Sequence, residues 1–476
     1  MFRRRVIFLF LSLLFEYSLP QHEKESDHPN REVFDKKTSE IPQILKPLAT
    51  EFFFLDSNIT TIPKGAFAEN PQLERVEFSN TPTESIEAGA FEGLVDLRHI
   101  EISGTLLTSI PVGVFKNLTN LEKLIVKLNK LHNLEKGLFD GLEKVRELQL
   151  HINEIESIEE GTFDDLQSLT MLHLGKNRLS SVSPNLFSKL SKLQILRLYE
   201  NQLTYIPENI FQNLTNLKEI GLNGNKITEL LPNLFPHREK LQKLFLDSNL
   251  LTGLPPEFFV GFPQLKTLTL QKNQLTGLPT VLFGEMPKLT ELSLSQNNLS
   301  SLPERIFSPL KTLKKLDLSK NHFTTFLAEH FEGLEKLTEL NLLNNKITSL
   351  DADTFEKLPS LITIRLAHNN LQTLPQDIFE PLSKLSKVYL SDNPWHCDCK
   401  LTHLYLWMKA NSAKIKSQPP EVCQYPEDLK GKKILSLTED QLVCATTTPS
   451  PTTTFTSNPN SDCELNLTLT LTNKLK

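Results

Sequence analysis

An asparagine stands at every twenty-fourth position from Asn129 to Asn393, twelve in succession without an insertion or deletion. A phenylalanine keeps the same period from Phe67 through Phe91 and Phe115 to Phe379, fourteen in all out of 29. A chain that holds its phase this long is one structural unit stacked on itself, and that constraint outranks composition or length. The 476 residues therefore read as one extended repeat domain with caps.

Around each asparagine runs L-x-x-L-x-L-x-x-N-x-L, as in Leu169, Leu172, Leu174, Asn177 and Leu179. Leucines at alternate positions turn one face of a short strand inward, leaving Met171, His173 and Gly175 outward. The asparagine lies where the chain leaves the strand, and its amide can hydrogen-bond backbone groups of its own and neighbouring coils. The phenylalanine closes the opposite wall. No coil can bury these residues alone, so each becomes core only between two neighbours.

Stepping back by 24 from Asn129 reaches Thr105, Thr81 and Ser57, flanked in register by Ile100, Ile102 and Leu107, by Val76, Phe78 and Ile86, and by Phe52, Phe54, Ile59 and Ile62. A hydroxyl replaces only part of an amide's hydrogen bonding, so these three coils should be the less regular ones. The pattern is that of leucine-rich repeats. It predicts an α/β right-handed solenoid of about 15 coils of 24 residues, over 49–393, with a parallel sheet on the concave face.

The ends read differently. Residues 1–20 place three arginines before the apolar run Val6–Phe15, too short to span a bilayer and suited to a secretory signal. Residues 21–48 form an N-terminal cap region without cysteines. All five cysteines follow residue 396. In a secreted chain, Cys397, Cys399, Cys423 and Cys444 within 394–444 read as a disulfide cap, with a zinc site including His396 and His403 as the alternative. Leu401, Leu404 and Trp407 supply an apolar face to lie over the open end of the stack. Residues 445–476 are rich in Thr, Ser and Pro, cannot form a core, and contain Cys463 as the odd cysteine. Sequons at Asn58, Asn117, Asn213, Asn298 and Asn466 suit a glycoprotein.

The formal charge of −6 moves to about −8 if residues 1–20 are removed, and no basic stripe runs along the chain. Nucleic acid and anionic membranes are therefore unsuited as partners. H-x-x-E occurs at His22–Glu25, His132–Glu135 and His151–Glu154, but no third ligand is placed by sequence and a catalytic zinc needs three. No nucleophile elbow, phosphate loop or dinucleotide fingerprint is present. Neither a catalytic set, a metal nor a cofactor is expected. Single histidines such as His173 and His368 read as solvated.

The segment NPWHCDCKLTHLYLWM, the ending YPEDLKGKKILSLTEDQLVC and the early coils FFFLDSNITTIPKGAFAENPQLERVEFSNT carry a resemblance to extracellular animal leucine-rich-repeat proteins. The group includes the platelet glycoprotein V group, Slit-like proteins and lymphocyte receptors of jawless fish. Within it the chain resembles most the regulatory, non-catalytic subunit of carboxypeptidase N. The resemblance implies disulfides Cys397–Cys423 and Cys399–Cys444, and a secreted protein that stabilises a carboxypeptidase. Inhibitors of phospholipase, decoys of microbial ligands and matrix or adhesion proteins share the architecture. In each case function lies in a surface. The outward residues Gln149, His151, Met171, His173, Arg197, Tyr199, Lys243, Phe245 and Asp247 are the expected contact set for a protein partner.

Overall fold

The computed structural model describes residues 30–43, 46 and 48–444. The segments 1–20 and 445–476, with Cys463 and Asn466, lie outside the described residues, as does the first H-x-x-E pair. Sixteen strands form one parallel sheet in chain order, from Arg31–Phe34 to Lys387–Tyr389. Across the repeats the register advances by one period per strand: Leu148, Leu172 and Leu196 lie side by side, followed by Ile220 and Leu244. The protein is a leucine-rich-repeat solenoid of about 16 turns, closed at its C-terminal end by two disulfides.

The extra strand corrects the expected fifteen coils. Arg31–Phe34 lies in the region assigned to a cap, yet it pairs with Glu51–Leu55. Its Phe34 ring stacks on Phe54 with centroids 4.8 Å apart. An apolar ring on the inward side is enough to add a strand where no asparagine marks the phase. Helix content is also lower than an α/β label suggests: among the described residues the only α-helix is Thr402–Ala410. The return segments are short and punctuated by Pro and Asn, as at Pro184 and Asn185, and they run as turns.

The asparagine ladder is explicit in the hydrogen bonds. Asn177 accepts from the Ile155 amide at 3.1 Å and donates to the carbonyls of Leu150 and Leu174 at 3.0 Å each, joining its own coil to the one before. In the three early coils the strands lengthen from three residues to five. There Thr105 donates to Asn129 and Thr83 to the Ile59 carbonyl, whereas the buried Ser57 hydroxyl has no partner among the described residues.

Phenylalanine rings stack from Phe67 to Phe187 with centroids 5.7–6.3 Å apart. Among the described residues no ring contact joins Phe187 to Phe211; Phe211 stacks on Phe235, whose next contacts are edge-on to Phe258 and Phe262, and stacking resumes at Phe259–Phe283. At the C-terminal end the helix Thr402–Ala410 buries Leu404, Tyr405 and Met408. Leu401 is buried too, while Trp407 is half-buried with its ring on Phe379 at 4.5 Å. Cys397–Cys423 and Cys399–Cys444 tie this cap together, with Cα separations of 5.7 and 4.9 Å.

Candidate protein-binding surface on the concave sheet

The strand register turns the expected contact set into transverse rows. Gln149, His173, Arg197, Gly221 and Phe245 are direct neighbours on successive strands, as are Met171, Ile195, Glu219 and Lys243. His151, Tyr199 and Asp247 lie two residues beyond the first row, at the strand exits. The structure brings the first six of these together. Phe245 and Asp247 stand beyond the gap left by Gly221, and Lys243 is joined to the others through Glu219.

His173 is not solvated. It is 3% exposed, its ring 4.0 Å from that of His151 and its Nε2 3.2 Å from the Tyr199 hydroxyl. Tyr199 and Phe245 are each only 8% exposed, although neither belongs to the hydrophobic core between the walls. Tyr199 lies over Gly175, which is buried beneath it; a Cβ there would stand 2.9 Å from the phenol ring. Gly221 on the other side leaves room, at 3.6 Å. Side chains on this curved face thus bury one another. His368, by contrast, is exposed as expected, with Asp392 at 3.3 Å.

Electrostatics organises the same region. Arg197 Nε donates to Glu219 Oε1 at 2.8 Å, and Lys243 Nζ reaches Oε2 of that carboxylate at 3.1 Å. Glu219 is buried and was absent from the expected set. Its signal was present in the sequence only as a charge in register with Lys243, 24 residues on. Glu101 is a second case: burial pushes its carboxyl up, but the His99 hydrogen bond and Lys127 outweigh that and hold it at about 2. Burial drives the His151 imidazole down to about 4, aided by Lys127, Arg197 and Lys176 against the opposing Glu101. His173 falls to about 2 through burial, His151, Arg197 and Lys127. Both rings are neutral at physiological pH.

Remaining members are polar contacts of ordinary kind. Gln149 donates to Glu147, and Asp247 accepts from Thr269 at 2.6 Å and from Ser248 at 3.1 Å. Glu154 of the H-x-x-E pair at His151 is held by Arg178 at 2.8 Å. No group of three or more candidate metal ligands is found among the described residues. The sequon asparagines Asn58, Asn117, Asn213 and Asn298 are all exposed and all lie off the strands of the large sheet. No helix among the described residues is long and apolar enough to cross a membrane.

With this geometry in hand, comparison with known proteins is informative. The family model described as "Leucine rich repeat" matches five overlapping stretches from residue 143 to 394, just over half of the chain. A second, "BspA type Leucine rich repeat region (6 copies)", matches 48–153. The chain belongs to the leucine-rich-repeat family. Among curated relatives it is 38% identical over 58 residues to human carboxypeptidase N subunit 2, covering 12% of this chain and 10% of that protein. It is 34% identical over 53 residues to phospholipase A2 inhibitor beta of Elaphe climacophora, covering 11% and 16%. With rat trophoblast glycoprotein the match is 32% over 62 residues, covering 13% and 14%. These matches span well under a fifth of each relative's length.

Among solved structures, the Drosophila Toll–Spatzle complex aligns over 87% of this chain and 64% of that one, at 24% identity and a TM-score of 0.66. A leucine-rich-repeat protein of Leptospira interrogans aligns over 76% and 93%, at 26% identity and a TM-score of 0.58. The Toll likeness speaks for the fold alone.

Proposed function

We propose that this chain is a secreted, non-enzymatic glycoprotein that binds a protein partner through its concave sheet, stabilising a secreted carboxypeptidase in the manner of the carboxypeptidase N regulatory subunit. The observation that carries the reading is the cluster of His151, His173 and Tyr199 beside the Arg197–Glu219–Lys243 arrangement. These rings and charges are ordered on the concave face without contributing to the core between the walls, and aromatic and Arg side chains are favoured interface anchors. The four described sequons lie off that sheet, so glycans on them would leave it open. The match to a phospholipase A2 inhibitor favours a second reading, in which the same face sequesters an enzyme instead of supporting it.

Capture on the immobilised chain from native fluid tests both readings. Met171→Glu on the concave face should abolish recovery of the bound protein, while Lys189→Glu, exposed on the return side, should leave recovery intact. A carboxypeptidase in the eluate supports the first reading and a phospholipase A2 the second. Loss of capture with Lys189→Glu alone would sink both.

A further inference from the structure

The two edges of the large sheet are finished differently. At the C-terminal edge the cap runs along Lys387–Tyr389: Val388 bridges to Ile415, and its carbonyl accepts from the Lys416 amide at 2.9 Å. Ser417 Oγ accepts from the Leu390 amide at 2.8 Å, and Val388 is fully buried. At the N-terminal edge Arg31–Phe34 pairs with Glu51–Leu55 on one side, and among the described residues no strand pairs the other. The Asn30 carbonyl accepts from the Thr50 and Glu51 amides, so by alternation Arg31 and Val33 turn their amides and carbonyls to the open side.

The core is unfinished at the same place. Phe34, Phe54, Phe78 and Ile102 stand in register in one inward row. The last three are completely buried, whereas Phe34 is half-buried, as is Ile41, which packs on the same core. One further strand with an apolar side chain over Phe34 would complete the row and pair the open edge. The run 21–28, Gln-His-Glu-Lys-Glu-Ser-Asp-His, holds no apolar side chain to supply it. Beyond the C-terminal cap, Leu465, Leu467, Leu469 and Leu471 alternate with Asn466 and with threonines at 468, 470 and 472. That period of two, with β-branched residues on the polar face, is the pattern of a strand buried on one side.

Reach decides whose tail it is. Residues 445–464 span about 70 Å when fully extended. Sixteen strands set about 4.8 Å apart also occupy on the order of 70 Å, with the C-terminal cap beyond them. A chain's own tail would have to be drawn out straight to arrive. We infer that residues 465–471 of a second copy add to the open edge of Arg31–Phe34 as a further parallel strand, with their leucines over Phe34. Two copies that exchange tails reciprocally close a dimer.

Sedimentation velocity of the full chain tests the exchange, with Cys463→Ser throughout so that no disulfide through that residue joins copies. This chain should sediment as a dimer at micromolar concentration. Leu467→Thr with Leu469→Thr should raise the dissociation constant roughly tenfold or more, and so should Val33→Pro, which removes an open-edge amide at an edge position where Pro is tolerated. Mixing the two variants should recover association, since one offers an intact tail and the other an intact edge. A monomer whose melting temperature falls with the leucine substitutions would assign the edge to the chain's own tail and overturn the exchange. Dimers that survive both variants would place the contact on another surface and overturn it equally. Neither result bears on the concave reading, which the capture experiment tests separately.

Discussion

The phenol ring of Tyr199 lies across the backbone of Gly175, one coil earlier, so closely that a Cβ on the glycine would stand 2.9 Å from two ring carbons. Gly175 does not have a positive φ, so the constraint is space and not backbone conformation. Gly175→Ala should therefore displace the ring and its contact with His173, costing about 1–3 kcal/mol as overpacking does. Gly221→Ala, with 3.6 Å to the same ring, should be nearly neutral. Urea unfolding of the two variants checks the contrast. Equal stability of the two would show that Tyr199 moves freely.

Arg197 and Lys243 share the buried carboxylate of Glu219. Removing the arginine leaves that carboxylate only the more exposed lysine, so Arg197→Ala should destabilise by roughly 1–3 kcal/mol. Tyr199→Phe keeps the ring and loses the hydroxyl bond to His173, which should cost about 1 kcal/mol. Partner-binding losses in the arginine variant must therefore be read beside its melting curve. An unchanged melting temperature for Arg197→Ala would contradict the account of Glu219.

The His151–His173 pair makes stability depend on mildly acidic pH. Both folded values, about 4 and about 2, lie below the ordinary 6.5, so the unfolded chain takes up these protons first as pH falls. Stability is full above about pH 6.5 and is lost as pH drops toward 4, by roughly 3 kcal/mol for His151. Lys127, Arg197 and Lys176 press in that direction and Glu101 opposes it. Glu101 itself, at about 2, contributes stability that is lost only below the ordinary carboxylate range of about 4.5. Melting temperatures between pH 7 and 5 thus report the imidazoles, among them His330, which burial also lowers. The slope should become shallower in a His151→Gln, His173→Gln chain, and a parallel slope in that variant would count against the assignment.

What was legible in the sequence follows from period. Asn177 and Phe163 announce themselves because each does the same job in every coil, and repetition makes that job visible. Strand Arg31–Phe34 was missed because it carries neither marker, only Phe34 in register with Phe54. The contact rows were legible as positions but not as environments. His173 and Tyr199 are buried because of one another and of Gly175, a relation between residues 24–26 apart with no chemical signature of its own. Glu219 escaped for the same reason, being one glutamate among many until the register sets it between Arg197 and Lys243.

The ladder position offers a paired test, since the same site holds a fully bonded residue in one coil and an unbonded one in another. Asn177 serves the Ile155 amide and the carbonyls of Leu150 and Leu174, all withdrawn from water. Asn177→Leu strands the buried Ile155 amide, while the Leu150 and Leu174 carbonyls keep Asn153 and Asn201 as donors, so the loss should be about 1–3 kcal/mol. Ser57 occupies the equivalent position with its hydroxyl buried and unbonded among the described residues. Ser57→Ala removes a desolvated group that gains nothing there, so it should be neutral or stabilising by about 1 kcal/mol. Thermal unfolding of the two variants decides it. A marked loss of stability in Ser57→Ala would show that the hydroxyl has a bonding role in the first coil after all, and no effect of Asn177→Leu would mean that neighbouring coils relax to satisfy the stranded amide.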